Sequence, residues 1–279
     1  MDFTNPEIPE GINTSKQHPL KDFFILSIGV LGSIALFAFL LGLFAERLAL
    51  HIPFSVEHEL LESIEFEDTV ISNPEIQGYL NNLTSQLLPY ITLPEEITVH
   101  VSYVDDSIEN AFASLGGQIL IYRGLIELLP NENALAMVIA HEIAHIQQRD
   151  PIVALGRGVV VGLFLTVIIG SSTDRFVGNV VSEAGTLTVL GFNRKQEQRA
   201  DEIALKAIAE HYGHVNGTDE LFKAFLKLED EYDSIAPEFF STHPLSDDRI
   251  RKIKIQADKN NWPIKGQTVP LPDFITNSK

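Results

Sequence analysis

The chain of 279 residues carries 38 acidic and 20 basic side chains, which gives a formal net charge of -18, and it contains no cysteine. The lack of cysteine excludes a disulfide scaffold, a zinc finger and a cysteine nucleophile. The acidic balance argues against nucleic acid as a partner, because phosphate backbones require a basic surface. With 45% hydrophobic residues, most of the chain is expected to fold.

Residues 23–45 form an uncharged apolar stretch after an N-terminal tail of residues 1–22. As a helix, this stretch covers roughly the 30 Å of a bilayer core, which predicts one transmembrane helix and the lipid bilayer as a partner. A cleaved signal peptide is the alternative, but the long polar lead and the long apolar run argue against it. Lys16 and Lys21 precede the stretch and Arg47 follows it, so the positive-inside rule predicts a single-pass protein of the cell membrane with its C-terminal part on the periplasmic side.

A linker or helical region at residues 46–71 leads into the predicted domain, residues 72–262, which a C-terminal tail of residues 263–279 follows. Within the domain, helical spacing of apolar residues begins after Pro74. Alternation in residues 97–104 predicts a half-buried strand.

Three later elements have clear boundary residues. A second strand is predicted at Gln118–Tyr122, after a pair of glycines. Asn131 is predicted to cap a helix that runs to about Arg149, where Pro151 stops it. Further helices are predicted to begin near Asn193 and after Ser246.

The segment HEIAH at residues 141–145 combines two histidines with an acid. On a helix, His141 and His145 lie one turn apart and can share one zinc ion, while Glu142 can take a proton from zinc-bound water. The alternative is a set of polar residues on an ordinary helix, since chance produces these three letters in about a few per cent of such sequences.

Glu197, in EQRAD at residues 197–201, is the candidate third ligand. A catalytic zinc takes three protein ligands and keeps its fourth position for water. Asp201 lies four residues later on the same helical face, where its carboxylate could accept the outer N–H of a ligating histidine. The alternative for Asp201 is a surface ion pair with Arg194 or Lys195.

The motifs HEIAH, EQRAD and STHPLSDDRI, in this order, resemble the zinc metallopeptidase family that includes HtpX, the CAAX prenyl protease and BepA. The resemblance covers roughly residues 72–261. It implies an α+β, mainly α, gluzincin domain of the Ste-type peptidases with a small β-sheet. It also implies one Zn²⁺ per chain, held by His141, His145 and Glu197, with Glu142 as the catalytic base.

The resemblance also gives a role to NAFASLGG at residues 110–117. It implies that this strand pairs through its backbone with an extended polypeptide substrate, which makes Asn110, Ala111, Phe112 and Ala113 candidate substrate-binding residues. Without the family, the segment is interpreted only as a strand followed by a glycine turn, with Phe112 as a core side chain.

Two further residues lie in the third motif. The family implies that His243 faces the metal, either as a catalytic donor to the oxyanion or as a fourth ligand that keeps the enzyme resting. The alternative is a loop histidine before Pro244 that makes no metal contact. Arg249 could hold carboxylates near the site, or it could pair with Asp247 in the first turn of a helix capped by Ser246.

An apolar, glycine-rich insertion at residues 152–192 separates the first two motifs. It is short for a membrane span, and Arg157, Asp174, Arg175 and Glu183 interrupt it, where each charge deep in lipid would cost about a few kcal/mol. We predict a helical hairpin that lies against the membrane surface or covers the cleft as a lid. The alternative is a hairpin buried in the core.

These observations together predict a membrane-anchored zinc metalloendopeptidase, a hydrolase that cleaves membrane or envelope proteins in protein quality control. The alternative function is a non-proteolytic, zinc-containing chaperone or adaptor that binds extended polypeptides at an edge strand. The sequence leaves the natural substrate, the cleavage preference and the oligomeric state open.

Overall fold

The computed structural model describes residues 18–62, 73–169, 192–224, 239, 243 and 247–276. These residues are mainly helical with one small sheet, in agreement with the predicted α+β, mainly α, class. Most of the predicted N-terminal tail and residues 170–191 of the insertion lie outside the described part. The helices are α1 (Pro19–Ala49), α2 (Phe54–Glu62), α3 (Pro74–Leu87), α4 (Arg123–Leu128), α5 (Glu132–Gln147), α6 (Asp150–Ile169), α7 (Arg194–Tyr212), α8 (Asp247–Asn260) and α9 (Asp273–Thr276).

Helix α1 is the one helix of the described residues that is long and apolar enough to cross a membrane. It begins at Pro19, four residues before the predicted stretch, because proline is well accommodated in the first helical turn. None of its most apolar window is buried inside the protein, although α1 packs along α6. An apolar surface of this extent is stable in lipid and unfavourable in water.

The sheet contains three strands, β1 (His100–Val104), β2 (Ala111–Ala113) and β3 (Gln118–Tyr122). Their order is β1-β3-β2, with β1 parallel and β2 antiparallel to the central β3. Strand β1 begins later than the alternating pattern predicted. A tight turn joins β2 to β3 at Gly117, which has φ of +77° and whose added Cβ would collide with the carbonyl oxygen of Thr98.

The two faces of the sheet pack against different helices. One face contributes residues such as Ala111 and Ile121 to the main core, with apolar side chains of α3 and α5. The other face contributes Phe112 and Leu120 to a second cluster that includes Ala49 from the end of α1 and several side chains of α6. The sheet therefore connects helix α5 to helices α1 and α6.

The corner between α5 and α6 differs from the prediction. Helix α5 ends at Gln147, and Pro151 lies in the first turn of α6 rather than after the end of α5. Arg149 forms the corner with φ of +59°, a left-handed conformation that costs about 1–2 kcal/mol for a residue with a Cβ. Its guanidinium contacts Glu57 and donates to the carbonyl oxygen of Ile52, which holds the corner against α2.

Helix α7 begins where the sequence predicted. The side chain of Asn193 accepts from the backbone N–H groups of Lys195 and Gln196, while the Gln196 side chain accepts from Asn193 N–H. The last described segment, residues 263–276, was expected to be a tail but lies against the domain. In it, Val269 N–H donates to Asn133 Oδ1, and Leu271 is buried in the main core.

Candidate active site

Helix α5 carries the HEIAH segment into the middle of the protein. Its N-terminus is capped by Asn131, whose side chain accepts from Ala134 N–H. Nearly every residue from there to Ile146 is buried, because α5 lies between the sheet and α7. This burial removes the alternative of polar residues on an ordinary exposed helix face.

The structure brings together the three predicted metal ligands. The Nε2 atoms of His141 and His145 are 3.0 Å apart. Glu197, in the first turn of α7, places Oε2 at 3.5 Å from Nε2 of His141 and Oε1 at 3.4 Å from Nε2 of His145. Ligand atoms that bind one zinc tetrahedrally at about 2.0–2.1 Å are about 3.4 Å from each other, so this set fits a zinc ion.

Two carboxylates hold the histidines by their outer nitrogens. Nδ1 of His145 lies 2.8 Å from Oδ2 of Asp150, and Nδ1 of His141 lies 3.1 Å from Oδ1 of Asp201. A proton on each Nδ1 leaves both Nε2 lone pairs directed at the same point. Two lone pairs that face each other at this distance repel unless a proton or a metal cation lies between them, and a zinc ion would accept both.

His243 completes a group of four potential ligands. Its Nδ1 lies 3.0 Å from Oε1 of Glu197 and 3.3 Å from Nε2 of His141. One ligand atom from each of the four residues lies within 4.8 Å of all the others, and all four residues are buried. His243 is therefore not a loop histidine remote from the site.

Two aromatic rings enclose the metal-side histidines. Phe239 stacks on the ring of His243 at a centroid distance of 4.6 Å, and Phe192 stacks on His145 at 4.0 Å. Burial lowers the pKa of His243, which favours the neutral imidazole that a metal requires. Together these contacts keep His243 beside the other three potential ligands.

Glu142 lies beside this group with its two oxygens in different environments. Oε2 accepts a hydrogen bond of 2.7 Å from the backbone N–H of Ala113. Oε1 is buried 3.5 Å from Nε2 of His243, and neither atom has a hydrogen-bond partner among the described residues. A free carboxylate oxygen next to the ligand atoms is what a base acting on water requires.

Arg249 neutralises the two carboxylates on α7. Its Nε and Nη2 donate to the two oxygens of Asp201 at 2.9 and 2.6 Å, and Nη1 lies 2.9 Å from Oε2 of Glu197. Burial would raise the pKa of Asp201, but the charge of Arg249 and the contacts with His141 and Arg249 together outweigh it and lower that pKa. Burial also opposes ionisation of Glu197, whose pKa is held well below its usual value by His243 and the other imidazoles. Both side chains are therefore anions at neutral pH.

The four predicted substrate-binding residues lie on or beside the edge strand β2. Tyr122 N–H donates to the carbonyl oxygen of Asn110, so the backbone of Asn110 faces β3. Backbone direction alternates along a strand, which turns the N–H and C=O groups of Ala111 and Ala113 away from β3. The side chain of Phe112 points into the second core cluster, so this residue contributes packing.

Sequence reasoning missed three contributors to the site. Asp150 was not considered as a partner of His145, although Pro151 after it is typical of a helix start. Gln196 Nε2 donates to Asp150 Oδ1 at 2.6 Å and so connects α7 to α6. No local pattern marks Phe192 as the ring that covers His145.

Comparison with known proteins places this geometry in a family. Residues 74–257, which include all four metal-site residues and Glu142, match the profile of Peptidase family M48. The chain belongs to peptidase family M48. Zinc and the HExxH motif of the family agree with the convergent ligands described above.

Several curated relatives are similar to the chain. The Beta-barrel assembly-enhancing protease of Escherichia coli (strain K12) is 27% identical over 209 residues, which covers 68% of this chain and 40% of that protein. The Mitochondrial metalloendopeptidase OMA1 of Schizosaccharomyces pombe is 32% identical over 156 residues, which covers 54% of this chain and 44% of that protein. A Protease HtpX homolog of Dictyoglomus thermophilum is 27% identical over 218 residues, which covers 65% of this chain and 70% of that protein. This M48 chain thus spans less than half the length of the first two relatives.

Proposed function

We propose that this M48 protein is a membrane-anchored zinc endopeptidase with a gluzincin arrangement of ligands. In this arrangement one helix supplies two histidines and a later helix supplies a glutamate, as α5 and α7 do here. The observation that carries the proposal is the convergence of His141, His145 and Glu197 with the free Oε1 atom of Glu142 beside them. The zinc metallopeptidase domain proposed at residues 72–262 contains the whole arrangement.

The residues of the chain divide the hydrolysis between them. Zinc, when bound, supplies a Lewis acid that polarises a peptide carbonyl and acidifies water. Glu142 removes a proton from the attacking water as its oxygen bonds to the carbonyl carbon. Glu142 then passes that proton to the amine nitrogen as the C–N bond breaks. Asp150 and Asp201 keep the two imidazoles oriented throughout.

The edge strand β2 supplies the means to bind a polypeptide. The outward N–H and C=O groups of Ala111 can pair with the backbone of an extended substrate, and those of Ala113 lie directly beside Glu142. Main-chain pairing of this kind depends little on side chains, which suits an enzyme that removes damaged proteins. We therefore propose polypeptides of the membrane or envelope as substrates, in protein quality control.

Helix α1 supports the membrane location of this activity. It is the described helix with the length and composition of a span, and its C-terminal end leads directly to the catalytic domain. Lysine residues lie before the span, and a single arginine, Arg47, lies close after it. This distribution of positive charge supports a catalytic domain on the periplasmic side. The name of the Escherichia coli relative, which refers to β-barrel assembly, is compatible with an envelope location.

A second candidate function is favoured by the enclosure of His243. If His243 permanently occupies the fourth coordination position, the site is structural and β2 serves a chaperone or adaptor that binds extended polypeptides without cleaving them. The stacking of Phe239 on His243 supports such a closed form. The same contacts equally support an enzyme whose resting state must open before it turns over.

The substitution Glu142→Gln tests the proposal, with the full-length protein in a neutral detergent. We expect zinc content and melting temperature to stay unchanged while casein cleavage falls by about 10²–10⁴-fold, because the amide cannot accept the proton. Glu210→Gln, on the exposed face of α7, is the matched control and should cleave casein like the original protein. Equal cleavage by the Glu142→Gln protein would remove Glu142 from the mechanism, and lack of cleavage by the unaltered protein would favour the adaptor.

A further inference from the structure

A cleft of about 830 Å³ lies where the end of α1 meets the catalytic domain. Its apolar wall consists of side chains on the last turns of α1, including Leu40, Leu43 and Phe44. Its polar wall is formed by the corner between α5 and α6 and by the first turns of α7, with Arg149 and Arg199. The volume falls within the roughly 300–1,000 Å³ that is usual for sites of small ligands.

The polar wall carries an excess of positive charge in a chain whose net charge is -18. Three guanidinium groups line the cleft, because Arg47 of α1 lies at the end of the apolar wall, and Arg149 is neutralised by Glu57. Asp150 is the acid in the wall, and it is buried and committed to His145 and Gln196. Arg199 lies 3.6 Å from Asp150 but keeps 53% of its side chain exposed. Arg47 forms no ion pair with any described residue.

The apolar and charged walls meet at the level where a membrane surface would lie. Arg47 follows the uncharged stretch of residues 23–45 by two positions, so it sits at the head-group region when that stretch spans a bilayer. Leu43 is 49% exposed and Phe44 is 65% exposed on the side of the hydrocarbon. A ligand that fills this cleft therefore needs an anionic group and an adjoining hydrocarbon chain.

We propose that this cleft binds the head group of an anionic phospholipid, with one acyl chain packed along Leu40, Leu43 and Phe44. The phosphate would accept hydrogen bonds from Arg47 and Arg199, which provide planar donor groups suited to phosphate oxygens. A free phosphate ion would use only the charged wall, whereas a phospholipid satisfies both walls. The proposal rests on the membrane anchoring in the proposed function and does not depend on peptidase activity.

Binding is tested with the full-length protein in a neutral detergent, by native mass spectrometry of the lipid retained from an equimolar mixture of phosphatidylglycerol and phosphatidylcholine. We expect the unaltered protein to prefer phosphatidylglycerol. Arg47→Gln should reduce that preference by about fivefold, the effect of one cationic side chain near a lipid surface. Arg47→Lys, which keeps the charge, and Lys206→Gln, which removes an exposed charge elsewhere on α7, should retain most of it.

Three outcomes would overturn the proposal. Equal retention of the two lipids by the unaltered protein would show that the cleft has no preference for an anionic head group. If both Arg47→Gln and Arg199→Gln kept the preference for phosphatidylglycerol, that preference would not arise from this cleft. Abolition of the preference by excess inorganic phosphate would assign the site to a free anion.

The test also separates this proposal from the peptidase assignment. The Glu142→Gln protein should retain phosphatidylglycerol as the unaltered protein does, because Glu142 does not line the cleft. A protein that cleaves nothing but prefers phosphatidylglycerol would support the lipid site and contradict the peptidase. Release of the unaltered protein from membranes by alkaline carbonate would contradict the anchor and, with it, the lipid site. A photoreactive residue in place of Leu43 that labels a polypeptide rather than lipid would assign the cleft to a protein partner.

Discussion

The backbone N–H of Ala113 donates a hydrogen bond of 2.7 Å to Oε2 of Glu142, which joins the edge strand β2 to the middle of helix α5. A polypeptide that paired with β2, as we propose for the substrate, would therefore lie within reach of the same carboxylate. The hydrogen bond also directs Oε1 of Glu142 towards His243 and the metal ligands. One hydrogen bond therefore positions both the edge strand β2 and the carboxylate of Glu142.

Replacing Ala113 by proline should remove this hydrogen bond without disrupting the hydrogen bonds between β2 and β3, because the Ala113 N–H does not point at β3. The proline ring takes the place of the amide hydrogen and displaces the carboxylate of Glu142 from its position. We expect zinc content to be retained and kcat/KM for a model peptide to fall about tenfold, since one hydrogen bond contributes about 1–1.5 kcal/mol. Steady-state kinetics with metal analysis provides the measurement.

The neighbouring residue is the matched control. The alternation along β2 directs Phe112 N–H at β3, and the ring is buried in the second core cluster. Phe112→Pro should therefore destabilise the fold by about 3 kcal/mol or more, visible as a large drop in melting temperature. If the two proline variants lost stability equally, the assigned directions of the two N–H groups would be incorrect.

Asp150→Asn should weaken zinc binding without a change of shape. An amide in this position accepts the His145 N–H less strongly and fixes the ring less well, so the zinc dissociation constant should increase by about 10–100-fold. Competition with a chromophoric chelator measures the zinc dissociation constant. Asp258→Asn, on the exposed face of α8, should leave the constant unchanged. An unaltered affinity in Asp150→Asn would assign Asp150 to helix capping alone.

His243→Ala should increase casein cleavage several-fold and leave zinc in place. The remaining ligands, His141, His145 and Glu197, satisfy a catalytic zinc, and removal of the fourth imidazole frees a position for water. Cleavage assays at equal zinc occupancy provide the measurement. If His243 were instead the oxyanion donor, cleavage would fall by about 10²–10³-fold, as for removal of such a donor in other hydrolases.

Two half-buried tyrosines should resist ionisation at alkaline pH. Tyr79 and Tyr212 both donate to Glu132, and burial, followed by interaction with that carboxylate, raises the pKa of each well above the usual value. Their pKa is higher in the folded than in the unfolded chain, so their contribution to stability is complete below pH of about 10 and declines above it. A phenolate absorbance titration of the six tyrosines should show Tyr79 and Tyr212 ionising only as the protein unfolds, and Tyr103, whose pKa burial raises to about 12, ionising late as well. Glu132→Gln should lower both pKa values, and six equivalent titrations in the folded protein would contradict the cluster.

The candidate metal ligands could be named from the sequence because each one lies in a motif that is recognisable locally. His141 and His145 are brought together by the pitch of a single helix, and Glu197 belongs to a helix whose start is marked by Asn193. The position of His243 could not be derived in the same way, since it depends on the family resemblance and on contacts with Phe239 that no periodicity shows.

The remaining differences come from contacts distant in sequence. Pro151 was interpreted as the end of α5, yet it begins α6, because Glu57 from a separate helix stabilises the left-handed Arg149 between them. The C-terminal segment was expected to be a tail. Val269 nevertheless pairs with Asn133 and Glu132 of α5, and Leu271 is buried in the main core, so contacts with residues distant in sequence hold the segment.

The corner at Gln148 and Arg149 allows no spare length between a metal ligand and the residue that orients it. Only four residues separate His145 from Asp150, and they must finish one helix, reverse direction and begin another. An inserted residue here would rotate Asp150 away from the imidazole and shift α6 together with the anchor that packs along it. The joint between α5 and α6 therefore does not tolerate a change of chain length, unlike ordinary surface loops.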